Sequence, residues 1–63
     1  MSVDWFRVIS DLQRSGLTYK QQAKEVGINS AGTIYYWKCG NQPPHDKGEK
    51  LLDVYRSVVG STS

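Results

Sequence analysis

Four residues in a row, Tyr35, Tyr36, Trp37 and Lys38, place aromatic rings, phenolic hydroxyls and an ammonium group side by side in a chain of 63 residues. Their chemistry is recognition: rings for contact, hydroxyls for hydrogen bonds, a cation for a negatively charged partner. The charge pattern marks the same segment. The net charge is only +2. Asp4, Arg7, Asp11 and Arg14 cancel before Gly16, and Asp46, Lys47, Glu49, Lys50, Asp53 and Arg56 cancel after Gly40. The surplus lies between Leu17 and Gly40, where Lys20, Lys24 and Lys38 stand against Glu25 alone.

Covalent chemistry finds less support. Asp46 beside His45 resembles a base with its orienting acid, but adjacent residues rarely converge on one substrate. Both are expected in a loop bounded by Pro43 and Pro44. No serine or cysteine has the setting of a nucleophile, and phosphate-loop and metal motifs are absent. The single cysteine, Cys39, rules out an intramolecular disulfide, and with the single His45 it makes a poor metal set. The chain is expected to be no enzyme and to take no cofactor and no metal. One thiol, no signal peptide and no apolar run near the roughly 18 residues of a membrane span point to the cytoplasm and to no membrane partner.

A domain this small buries only about 60% of the surface its unfolded chain exposes, so packing has to supply its stability. Gly16, Gly27, Gly40 and Gly60 each follow a stretch that reads as helix, the place of a left-handed cap. The first helix is expected from Val3 to Ser15, with Ser2 as N-cap. Trp5, Val8, Ile9 and Leu12 form its apolar stripe, and Phe6 sits at the stripe's edge on the core side. The second runs from Tyr19 to Val26 behind a Thr18–Gln21 capping box, with Ala23 and Val26 inward. The third runs from Ser30 or Ala31 to Cys39, its N-cap oxygen coming from Asn29 or Ser30. Ile34 and Trp37 share one face there, while Gly32, Tyr35, Tyr36 and Cys39 face away. The fourth runs from Lys47 to Val59, with a second capping box at Asp46 and Glu49 and an apolar face of Leu51, Leu52, Tyr55, Val58 and Val59. No period-two run is long enough for a strand. Met1 and Ser61 to Ser63 are expected to fray.

Ala23, Gly27 and Ile28 suit two short helices meeting at a sharp corner: a small inward residue, a glycine at the turn, an apolar plug beneath it. Together with Ile34, Trp37 and Gly40, then Pro43-Pro44 and a helix bearing Leu51, Leu52 and Tyr55, these residues resemble the lambda-repressor/Cro-like helix-turn-helix proteins of phages and bacteria. The resemblance covers about Thr18 to Tyr55. It implies an all-α, compact four-helix (or five-helix) domain filling residues 1–63, with the helix-turn-helix at about 18–39 and the C-terminal helix at about 46–59. It also implies a sequence-specific regulator of transcription that binds double-stranded operator DNA, of the small phage or prophage repressor kind. Two features depart from the family. "INSAGTI" carries one residue more between the turn glycine and the isoleucine than is usual, which shifts the base-contact register by up to one position. The position before Ala23, commonly apolar, is Gln22, which is expected to reach toward solvent or a phosphate.

On that resemblance the third helix lies in the major groove. Its base-contact set is Asn29, Ser30, Ala31, Gly32, Thr33, Tyr35 and Tyr36. The set lacks arginine and has one side-chain amide, Asn29, able to read adenine. Ala31 and Thr33 offer methyls to thymine, and Gly32 permits close approach at a helix cost of about 1 kcal/mol. Discrimination then leans on DNA shape. Thr18, Tyr19, Gln21 and Gln22, at a helix N-terminus, and the cations Lys20, Lys24 and Lys38 are the phosphate contacts. Val54, Val58 and Val59 either pair in a weak homodimer, or one formed on DNA, or finish the monomer core, with Val58 assigned to the core. Two other uses of the fold stay open: a protein-interaction module, binding an antirepressor or a polymerase subunit, and an excision or replication accessory protein.

Overall fold

The computed structural model describes residues 3–59. The positions expected to cap or fray at the ends, Met1, Ser2, Gly60 and Ser61 to Ser63, lie outside the described residues. Four helices follow one another: α1 (Trp5–Arg14), α2 (Tyr19–Val26), α3 (Ala31–Lys38) and α4 (His45–Val58), with no strand among the described residues. The chain is compact and all-helical. Its radius of gyration is 10.5 Å, against about 10.6 Å for an average domain of this length.

Local signals start and stop most of these helices. Asp4 caps α1, its Oδ1 accepting the Arg7 amide at 3.2 Å, so the helix begins at Trp5 and not at Val3. The α2 capping box forms in both directions: the Gln21 amide donates to Thr18 Oγ1 at 3.2 Å and the Thr18 amide to Gln21 Oε1 at 3.0 Å. Gly27 ends α2 at φ 92°, a left-handed conformation that strains any residue with a Cβ. Its amide and that of Ile28 both donate to the Ala23 carbonyl at 2.9 Å. The chain thereby turns sharply, and Ile28 tucks against the core beneath the corner.

Two expected caps do not form. Ser30 is the N-cap of α3 by position, but neither it nor Asn29 gives a side-chain cap bond. The second capping box is also absent, because α4 starts two residues early, at His45. Pro44 carries the φ a helix entrance needs, and its carbonyl accepts the Gly48 amide at 2.8 Å. His45 and Asp46 are therefore helical and exposed, not part of a loop. Asp46 in the first turn favours the positive end of the helix dipole.

The core collects one stripe from each helix: Val8, Ile9 and Leu12, then Ala23 and Val26, then Ile34 and Trp37, then Leu51. Each large apolar side chain fully withdrawn from water contributes about 1.5–3 kcal/mol. α2 packs on α3 and on α4, and α1 packs on α3 and on α4. Where α1 meets α4, Gly48 makes room for an indole. A Cβ there would stand 3.2 Å from Trp5 Cη2 and 3.5 Å from Pro43 Cγ. The Tyr55 hydroxyl adds a polar tie across the same helix pair, donating to Asp11 Oδ2 at 3.0 Å.

Two expected core residues point outward. Phe6 is 60% exposed and Val58 39% exposed. Phe6 follows Trp5 by one residue, a turn of about 100°, so once Trp5 occupies the seam with Gly48 its neighbour faces solvent. Val58 borders the open concavity between α2 and α4, whereas Val54 and Val59, on either side of it in the chain, pack partly on the core.

Candidate nucleic-acid interface

The third helix has two faces with opposite environments. Ile34 is fully buried and Trp37 nearly so. Tyr35 is 54% exposed and Tyr36 59% exposed. The spacing of three between Ile34 and Trp37 brings them onto one side, and their burial against α1 and α2 holds the helix in place. The remaining sequence-assigned residues of the outer surface follow suit: Asn29, Ser30 and Gly32 are exposed, Ala31 and Thr33 half-buried. The seven residues thus form one accessible edge from the corner to the last turn of α3. Asn29 makes no side-chain hydrogen bond among the described residues, so its amide is available.

Gly32 is the informative member of that edge. A Cβ built on it would meet only Ser30 Oγ, at 3.5 Å, ordinary van der Waals contact. Its φ is not in the left-handed region. Neither packing nor backbone conformation requires a glycine there.

Hydrogen bonds fix the end of the helix. Asn41 Nδ2 donates to the Tyr36 carbonyl at 3.0 Å, satisfying one of the orphan acceptors of the last turn. The Tyr35 hydroxyl is pushed above its ordinary pKa of 10.0, first by the neighbouring Cys39 thiol, while Lys38 pulls the other way. The rings of Tyr35 and Tyr19 lie 6.0 Å apart, tilted, which joins the start of α2 to the last turn of α3.

Cations border both ends of this edge. A concavity of about 350 Å³ at the corner is lined by Lys20, Lys24, Gly27, Ile28, Asn29 and Ala31, so two lysines lie next to the first base-contact candidates. At the other end Lys38 donates to Tyr19 Oη at 2.8 Å. None of the three lysines forms an ion pair among the described residues.

The neutral phosphate candidates divide. Thr18 and Gln21 are exposed but committed to capping one another; Gln21 keeps its Nε2 donors, and the first amides of α2 point outward as at any helix N-terminus. Gln22 has to be withdrawn from the set. It is fully buried, with Nε2 donating to the Leu17 carbonyl at 3.0 Å and to the Ile9 carbonyl at 3.4 Å, and no phosphate can reach it. Its Oε1 has no partner. Gln22 straps α2 to the middle of α1 and to the turn that follows it. The one signal of this in the sequence is that the resembled family places an apolar side chain there.

Other side chains that bear on reactivity are dispersed. His45 Nε2 lies 3.2 Å from Glu49 Oε2 on the exposed surface of α4. No group of three His, Cys, Asp or Glu side chains able to hold a metal occurs among the described residues, and no helix of these residues is long and apolar enough to cross a membrane. The larger concavity, about 590 Å³, lies between α2 and α4 and is lined by Leu17, Lys24, Glu25, Asp53, Val54 and Val58, among others. Comparison with protein-family models, with curated proteins and with solved structures finds no match to this chain.

Proposed function

We propose that this chain is a lambda-repressor-like helix-turn-helix domain of the Cro type that binds double-stranded operator DNA and regulates transcription. α3 lies in the major groove, the start of α2 rests on the phosphate backbone, and Lys20, Lys24 and Lys38 supply the ionic contacts. The observation that carries this reading is the outer edge of α3. It combines a glycine for which the fold has no internal need with two exposed tyrosines, on a helix whose other face is locked by Ile34 and Trp37. The domain acts by binding, without catalysis, cofactor or membrane, in the cytoplasm of a bacterial host. Two copies meet on DNA, with recognition helices about 34 Å apart on a two-fold site, as the docking geometry of such dimers requires.

Selection of bound sequences from random duplex DNA tests this. The expected result is an enriched two-fold motif whose half-sites lie one helical turn apart. Binding should weaken steeply as salt rises, since a few ionic contacts set the affinity. No enrichment, or retention independent of salt, refutes the reading.

A second use, of this edge together with Phe6 of α1, has its own support. Phe6, Tyr35 and Tyr36 are all more than half exposed, and aromatic residues of this kind anchor protein interfaces. A protein-interaction module predicts capture of a protein partner by a chain that fails to bind any duplex at low salt.

A further inference from the structure

Lys38 is the last residue of α3, and three helices contribute to its surroundings. Its ammonium donates to Tyr19 Oη at 2.8 Å and lies 5.4 Å from the centroid of that ring. The Phe6 ring, from α1, stands 5.2 Å from the same nitrogen. Phe6 contributes little to the core, being 60% exposed, and no carboxylate among the described residues neutralises the cation. An exposed phenylalanine is thus laid against an unneutralised ammonium at the edge of the candidate interface.

The arrangement has chemical consequences. A lysine on a solvated surface samples many rotamers, whereas this one is held by a hydrogen bond and by the negative face of a ring. The ammonium has three N–H groups and spends one on Tyr19. Tyr19 Oη accepts that bond and keeps its own proton to donate. Two N–H groups and one O–H therefore remain for a single acceptor group. An anion with several oxygens on one centre matches them better than a neutral carbonyl does.

We propose that Lys38 and Tyr19 form a preordered site for one phosphodiester of the DNA backbone, with Phe6 as the residue that positions the ammonium. The proposal rests on the duplex-binding reading above and extends it to α1, which that reading leaves out. The site takes a backbone phosphate and not a base, so it adds affinity without sequence preference.

Fluorescence anisotropy with one selected duplex across a salt series tests it, using the wild-type chain, Phe6→Leu, Lys38→Gln, the double variant and Phe6→Trp. Lys38→Gln should reduce the salt slope by about one phosphate contact. Phe6→Leu keeps every charge, so the slope should hold while affinity falls by about two- to fivefold, the strength of an exposed cation–ring contact. The double variant should bind no worse than Lys38→Gln, because Phe6 acts through Lys38. Phe6→Trp, which keeps a ring beside the ammonium, should bind as the wild-type chain does. Wild-type affinity in Phe6→Leu, a full additional loss in the double variant, or a loss of binding that follows a loss of thermal stability overturns the site while leaving the duplex-binding reading intact. A wild-type chain that binds no duplex overturns both.

Discussion

Gly48 and Gly32 both stand in the first turn of a helix, and their surroundings are opposite. Around Gly48 the fold is full: a Cβ would press on the Trp5 indole at 3.2 Å and on the Pro43 ring. Around Gly32 there is only a serine hydroxyl at van der Waals distance, and beyond it solvent. The α1–α4 seam therefore explains its glycine from within, as a slot for an indole. The outer edge of α3 does not; on the proposed reading its glycine serves the close approach of DNA. The same contrast holds one turn further on: Trp37 closes the core while Tyr36, its neighbour, is 59% exposed.

The comparison breaks most visibly at the inner face. Trp37→Ala should lose about 3–5 kcal/mol, most of what so small a domain has, and a thermal melt followed by circular dichroism should show little cooperative folding. Gly48→Val comes next. Forcing the Trp5 indole aside should cost about 1–3 kcal/mol, read as a lower melting temperature with no direct effect on the binding edge. Tyr36→Ala sharpens the other side: affinity for duplex should fall about tenfold, or about 1.4 kcal/mol, with the melting temperature unchanged. Equal losses of stability and binding would mark Tyr36 as part of the core. Gly32→Ala should separate the two properties in opposite directions, raising stability by about 0.4–1 kcal/mol while weakening DNA binding. Unchanged binding in Gly32→Ala would remove the main support for the groove reading.

The smallest effect lies away from the edge, at the Tyr55–Asp11 tie. The hydrogen bond to Asp11 raises the Tyr55 hydroxyl above its ordinary 10.0, so the folded chain holds that proton more tightly than the unfolded chain. The stabilisation is complete below the unfolded value and is lost as pH rises through the folded one. Tyr55→Phe should melt slightly earlier than wild type at neutral pH, and the gap should close in strongly alkaline solution.

Much of this organisation is readable from neighbouring residues alone. Thr18 and Gln21 announce the start of α2, Gly27 its end, and the spacing of Ile34 and Trp37 separates the buried face of α3 from the tyrosines. Such features depend on residues within one or two turns of each other, where helix geometry dictates who shares a face. Asp46 and Glu49 mimic a capping box and suggest a start at Lys47, whereas Pro44 sets the entrance angle and α4 begins at His45. That Gln22 is inside and Phe6 outside could not be read locally. Gln22 is held by carbonyls of Ile9 and Leu17, and Phe6 is turned out because Trp5 fits against Gly48.

The order of residues by itself determined four helices, the corner at Gly27 and the two-faced character of α3. Tertiary structure alone decided which polar side chain is sacrificed to the core, which aromatic ring meets the Lys38 ammonium, and where the first and last helices interlock. The reason is distance along the chain. A cap or a turn is completed by residues a few positions apart, but a side chain's exposure depends on segments that only folding brings together.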